Sequence, residues 1–408
     1  MGRWLTRIVV CIGAVTMAIS ASPAQAAETV KVGIIVPLSG PWARQGQIMR
    51  DGAELAVQDI NADGGIAALG GRKLELVVFD TGDSVERAKN AAQRMVAEHP
   101  DLVAASGSFL SSFTLAVTEV TERNTLPVLT LSYSDQITNR GYDYVFQTSA
   151  TASRLAERSL PILVDLAENA AGTRPESVGL VMDNTAASVA FAKPMRAGGL
   201  EKLGLDLIVD SVFTPPLANA TPLIQEVRAS RPDILFLFPT VISDAKLLLT
   251  KMTEFGLGQG RLPTVSNGAA MVDPDLLNTM PAQLLEGVMS IMANWPSKGQ
   301  EDLMQRFVET SGEPWMTQNP LSMYGHVMII KAALEAAGQA DKQAVAEAIR
   351  NMDMTDGPAR YFPGGGIKFD DKGRRMDAGV LVVQWQDGVA KTVYPPDAAL
   401  AEPLWPNR

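Results

Sequence analysis

Apolar and polar positions follow two alternating rhythms along this chain. "TVKVGIIVPL" (29–38), "KLELVVFD" (73–80), "DLVAAS" (101–106) and "LPVLTLS" (126–132) are short apolar runs bounded by turn residues, a pattern that predicts buried strands. The stretches between them have helical spacing. "QGQIMRDGAELAVQDINADGG" (45–65) sets Ile48, Ala53, Leu55, Ala56 and Ile60 on one face, and "SVERAKNAAQRMVAEH" (84–99) and "SSFTLAVTEVTERN" (111–124) repeat the design. The pattern then restarts. A long helix over "SRLAERSLPILVDLAENAAG" (153–172), expected to bend at Pro161, precedes strands at 177–183, 205–213, 233–239 and 262–266, with helices beginning near Ser188, Thr221 and Ser243. Strands alternating with helices predict parallel sheets covered on both faces, and two such arrays predict two similar α/β lobes.

The last third reads differently. Residues 299–312, 319–338 and 341–352 are helical in pattern, and 359–395 reads as strands joined by Gly- and Asp-rich turns. No low-complexity linker separates the parts, so the chain is expected to cross between lobes more than once. The boundaries expected are 27–149 with 287–357 for the first lobe and 150–286 with 358–395 for the second, followed by a tail at 396–408.

Length and composition agree with two globular lobes: 408 residues, 46% hydrophobic and 20% charged. The net charge of −10 argues against a nucleic-acid or anionic-membrane surface. The first 26 residues read as a cleavable signal peptide: a basic start with Arg3 and Arg7, the apolar run "IVVCIGAVTMAIS", and Ala24-Gln25-Ala26 at the cleavage position. That run is too short to span a bilayer, so the mature chain is expected to be exported and not inserted. Cys11, the only cysteine, would leave with it, removing any disulfide, thiol nucleophile or thiolate metal site.

Little in the sequence could do catalysis. His99 and His326 are far apart, one at a helix end and one in an apolar helix, and both read as structural. No metalloprotease, nucleophile-elbow or P-loop motif occurs. The glycines of "NADGGIAALGGRK" follow a helix and precede a strand, the wrong order for a phosphate loop. No cofactor, metal or enzymatic activity is expected.

What remains is "AASGSFLSSFTLAV" (104–117), a strand end loaded with hydroxyls before a helix, and its neighbour "LTLSYSD" (129–135). Ligands of open α/β sheets bind beyond the carboxyl ends of the strands, and a helix N-terminus there attracts anions. Ser111 and Ser112 at the helix start, with the strand end beside them, are expected to cradle a carboxylate without formal countercharge. The competing reading is N-capping.

Those segments, together with "VKVGIIVPLSGPWARQGQIMRDGAELAVQDINADGGI" and "DGPARYFPGGGIKFDDKGRR", resemble the periplasmic branched-chain amino acid (Leu/Ile/Val)-binding family of ABC importers over essentially the whole mature chain. The resemblance implies a type I periplasmic binding fold: two doubly wound α/β lobes, joined by a three-crossover hinge, that close on a small solute. Its implied partners are an amino acid or amine-free carboxylate and an inner-membrane permease with its ATPases. It also implies a carboxylate held by Ser111 or Ser112 and by Leu131, Tyr133 or Ser134, with Trp42 as a pocket wall; Ser132 of the same strand end is expected to join them. In the second lobe Asn184 and Asn267 are expected to take part. The chain departs from the family where amino-acid binders carry an aromatic-glycine pair and an acid for the ligand ammonium. Here Ala187 with Ser188, and Asn267, stand at those places, with Asp183 or Asp244 as candidate substitutes for the acid, although Asp244 reads as readily as an N-cap. The departures point to a carboxylate lacking an α-ammonium. A ligand-binding sensor of the same fold, and less so a periplasmic enzyme, are the rival readings.

Overall fold

The computed structural model describes Met1, Gly2 and residues 29–405, so the expected signal peptide and Cys11 lie outside the described residues. The first sheet holds β1 (Val30–Val36), β2 (Leu74–Asp80), β3 (Ala104–Gly107), β4 (Val128–Thr130) and β5 (Val145–Gln147), all parallel, in the order β2-β1-β3-β4-β5. Helices α1 (Ala43–Ala62), α2 (Val85–Glu98) and α3 (Ser111–Arg123) lie between its strands. Alternating inward residues of β1 explain the two-faced burial. Val32, Ile34 and Val36 join the cluster under α1, and Ile35 joins the one under α2 and α3.

The second lobe begins with α4 (Ala152–Ala171) and continues through β6 (Ser177–Asp183), α5 (Ala186–Pro194), β7 (Asp206–Phe213), α6 (Thr221–Ser230), β8 (Ile234–Phe238), α7 (Ile242–Glu254), β9 (Thr264–Asn267) and β10 (Met289–Met292). The chain then returns to the first lobe. There α8 (Glu301–Ser311), α9 (Gln318–Ala337) and α10 (Lys342–Arg350) bury their apolar residues with those of α1. Gly52 of α1 and Pro320 of α9 meet backbone to backbone: a Cβ at Gly52 would lie 2.2 Å from the Pro320 carbonyl oxygen. A two-residue pair, β11 (Asp353–Met354) with β12 (Ile367–Lys368), precedes the last crossing. β13 (Leu381–Gln386) and β14 (Val389–Tyr394) then complete a seven-stranded sheet of order β14-β13-β10-β9-β8-β6-β7. Asp387 and Gly388 turn that hairpin at φ 55° and 75°, the left-handed geometry a two-residue turn requires.

The two doubly wound lobes and three crossings match the expected architecture, but two expected boundaries move. Strand β10 had no counterpart in the sequence reading, which placed residues 287–292 in the first lobe. It pairs in parallel with β9 and antiparallel with β13 in the second lobe's sheet, so the return crossing follows Met292. Residues 358–369 were expected in the second lobe, yet Ala359, Tyr361, Phe362, Ile367 and Phe369 are buried in the first lobe's core. The reason is aromatic packing: Tyr361 meets Tyr324 edge-on at 4.9 Å, and Phe369 meets Phe146 at 5.3 Å.

Among the described residues no helix is long and apolar enough to cross a membrane. No group of three or more metal-ligating side chains occurs among them.

Candidate ligand cleft between the lobes

The hydroxyl-rich end of β3 begins with a constraint. Gly107 has φ 131°, and a Cβ there would lie 2.1 Å from the Ile35 carbonyl oxygen, so only glycine lets the chain turn against β1. Beyond that turn the hydroxyls bind one another and the backbone. Ser132 Oγ lies 2.6 Å from Thr114 Oγ1, 2.5 Å from the Ser108 carbonyl and 2.9 Å from that of Phe109. Ser134 Oγ accepts from Gln136 N and so caps the turn that follows it. Ser111 Oγ accepts from Ser134 N at 3.0 Å, and its own proton stays available. Helix α3 starts at Ser111 with Leu110 in the capping position and no side-chain cap. Phe113 N and Thr114 N donate to the Leu110 carbonyl at 3.0 and 2.9 Å, so the N–H groups of Ser111 and Ser112 are the ones that keep their capacity to donate.

A cavity between the lobes meets this helix start. Gln45, Ser111, Leu131, Tyr133, Gln318 and Asn319 line it from the first lobe. Thr185, Ala187, Pro239, Thr240 and Asn267–Ala270 line it from the second, with Phe109 and Leu110 completing the wall. No lining side chain carries a formal charge. Tyr133 donates its hydroxyl to Gln318 Oε1 at 2.6 Å and accepts from Ala293 N, and burial pushes its phenol up to about 12, so it stays protonated. Three polar atoms of the lining are buried without a partner among the described residues: Thr240 Oγ1, Asn267 Nδ2 and Asn319 Oδ1. Buried polar groups are nearly always hydrogen-bonded, so these three atoms keep the capacity to pair with a group held in the cavity.

Of the residues expected from sequence, Ser111, Leu131, Tyr133 and Asn267 line this cavity. Ser112, the next residue on the helix, is half-buried and does not line it. Ser132 and Ser134 are buried in the strand-end scaffold described above. Trp42 was expected as a pocket wall but packs edge-on against Phe113 at 5.5 Å, on the face covered by α2 and α3. Asn184 is exposed and donates to Thr214 Oγ1 at 3.0 Å.

Asp183 and Asp244, the possible ammonium partners, lie off the lining. Asp183 accepts from Thr185 N, Thr185 Oγ1 and Thr240 N, which fixes the strand ends and the starts of α5 and α7. Asp244 accepts from Leu217 N, and burial raises its carboxyl. The sequence reading missed Gln45, Thr240, Gln318 and Asn319. The last two had a signal: "TQNP" is a polar start to the most apolar of the helices.

Comparison with known proteins gives the class. Residues 29–390 match the family model described as "Periplasmic binding protein". The chain belongs to this family of solute-binding proteins. A curated relative, the Leu/Ile/Val-binding protein homolog 8 of Brucella melitensis, is 27% identical over 394 residues, covering 91% of this chain and 92% of the relative. The fold is shared with the LivJ branched-chain amino acid transporter substrate-binding protein of Streptococcus pneumoniae, solved with isoleucine (TM-score 0.75, 19% identity, 90% of this chain and 100% of that one). It is also shared with an ABC-transporter solute-binding protein of Rhodopseudomonas palustris, solved with 3,4-dihydroxybenzoic acid (TM-score 0.72, 21% identity, 89% and 95%).

Proposed function

We propose that the chain is the periplasmic solute-binding component of an ABC importer and that it captures a small carboxylate in the inter-lobe cleft. It would release that solute, unaltered, to an inner-membrane permease driven by ATPases. The carboxylate sits at the start of α3, where the Ser111 hydroxyl and free N–H groups donate to it and the helix dipole favours its charge. Leu131 and Tyr133 flank it, and Asn267 and Thr240 reach the solute from the other lobe. Contacts from both sides favour the closed arrangement over the open one.

The carrying observation is the pairing of an uncapped helix start in one lobe with unpartnered polar atoms in the other, across a cavity whose lining carries no charge. That lining also bears on the solute class. A desolvated ammonium favours an anionic partner, and none lines the cavity. Amine-free acids should therefore bind more tightly than amino acids of the same shape.

Thermal unfolding of residues 27–408, freed of carried-over solute, tests this with leucine and isoleucine against 4-methylpentanoate and benzoate. A solute at a hundred times its Kd should add about 2.7 kcal/mol to stability. Ser111→Ala should weaken binding of the best acid about tenfold or more. Stabilisation by leucine in preference to 4-methylpentanoate would overturn the amine-free assignment. No response to any acid, or full affinity in Ser111→Ala, would overturn the carboxylate site itself.

A further inference from the structure

Three buried side chains form a polar chain that crosses from one lobe to the other. Gln45, on the first turn of α1, donates Nε2 to Asp273 Oδ2 of the second lobe at 2.5 Å. Asn319, on the first turn of α9, donates Nδ2 to Gln45 Oε1. Relative exposure is 3% for Gln45, 0% for Asp273 and 1% for Asn319. Gln45 and Asn319 line the cleft, and Asp273 stands behind them.

The direction of this chain follows from Asp273. An ionised carboxylate can only accept, so the Gln45 amide must turn its NH₂ toward it. Gln45 then offers its oxygen to Asn319, which must answer with its own NH₂. Asn319 is left presenting Oδ1, an acceptor buried without a partner among the described residues. Burial raises the Asp273 carboxyl to about 6, with the nearby Arg44 guanidinium opposing that rise, so the group remains an anion at pH 7.5. Its other oxygen accepts from Asp275 N at 2.9 Å, which holds the carboxylate in place.

We propose that Asp273, acting through Gln45, fixes Asn319 as an obligate acceptor, and that the cleft therefore selects carboxylates carrying a hydrogen-bond donor, specifically a hydroxyl. This rests on the carboxylate reading of the cleft. An unsubstituted acid leaves Asn319 Oδ1 bare in the closed protein, whereas a hydroxyl satisfies it. An ammonium could also donate there, but it brings a charge that no lining residue balances. Because Gln45 and Asp273 belong to different lobes, the chain is complete only when the lobes are closed. Asn319 is thus set for its task at the moment of capture.

The test measures dissociation constants by calorimetry at pH 7.5 for matched acids: 4-methylpentanoate with its 2-hydroxy analogue, and benzoate with 3- and 4-hydroxybenzoate. In at least one set the hydroxy acid should bind about tenfold more tightly than its parent, the worth of one satisfied buried acceptor. Asn319→Leu should bring that ratio close to one, whatever it does to absolute affinity. Asp273→Asn keeps the volume but allows both amides to turn over, and should lower the ratio several-fold. It decides the matter if Asn319→Leu does not fold. Equal binding within every set, or a ratio that survives in the folded variants, overturns the inference and leaves the carboxylate site standing. If no acid of either kind binds, the carboxylate reading fails and this inference falls with it.

Discussion

The two faces of the cleft are built on opposite plans. The first lobe brings many hydroxyls to its strand ends, yet Ser132, Ser134 and Thr114 are tied to one another and to carbonyls, leaving Ser111 as the serine that lines the cavity. The second lobe brings few polar groups, but Asn267 Nδ2 and Thr240 Oγ1 are left without partners. Its carboxylates do the scaffolding instead, with Asp183 holding Thr185 and Thr240 in place. The dense hydroxyls at the first lobe's strand ends are thus mostly frame, whereas the sparse polar groups of the second lobe are left without partners on the cavity.

The difference should appear as separable effects on stability and affinity. The largest is expected in the frame. Ser132→Ala removes a hydroxyl at 1% exposure that has three partners, and should destabilise the protein by about 1–3 kcal/mol in urea unfolding. An unchanged midpoint would break the distinction between frame and contacts.

The next concerns two buried titrating groups of opposite sign, one in each lobe. His326 lies between Ser106 Oγ and Thr148 Oγ1, each at 2.7 Å, and burial with the neighbouring Arg375 pushes it down to about 3. The unfolded chain takes up a proton below pH 6.5 and the folded one does not. Stability is therefore full above 6.5 and falls as pH drops toward 3, by about 2 kcal/mol at pH 5. Asp273 works the other way: with its carboxyl raised to about 6, the ionised form is penalised, so stability is lost as pH rises from about 4 to 6. His326→Gln should flatten the decline between pH 6.5 and 5, and Asp273→Asn should steepen it. Equal slopes in the two variants would remove the assigned causes.

The smallest effect sharpens the comparison most. Asn267→Leu should weaken solute binding about tenfold while leaving stability within about 0.5 kcal/mol, because it removes a donor that has no partner in the protein. Asn184→Ala, at an exposed site off the cleft, should change neither.

The alternation of apolar runs was enough to read both lobes, because strands buried on two faces and amphipathic helices carry strong periods. Strand β10 escaped because its four residues sit in "GVMSIMANW", an apolar run with no period of its own. At the site, sequence could place Ser111 and Ser112 at a helix start but could not choose between them. Adjacent helical residues point about 100° apart, so only tertiary packing decides which faces the cleft. Gln45 and Asn319 were out of reach for a different reason. They are amides without a motif, about 270 positions apart in sequence, and only the fold gives them a common task.

The close fit of Gly52 against Pro320 has a consequence for how the molecule comes into being. Helix α1 is made early in synthesis, but the surface that covers its buried side belongs to α9, more than 250 residues later. Until the ribosome has delivered that helix, the first lobe lacks one of its layers and cannot settle as a unit. Such long-range closure is slow. The first lobe is therefore expected to complete its packing only late in translation, after β6–β10 of the second lobe have been made.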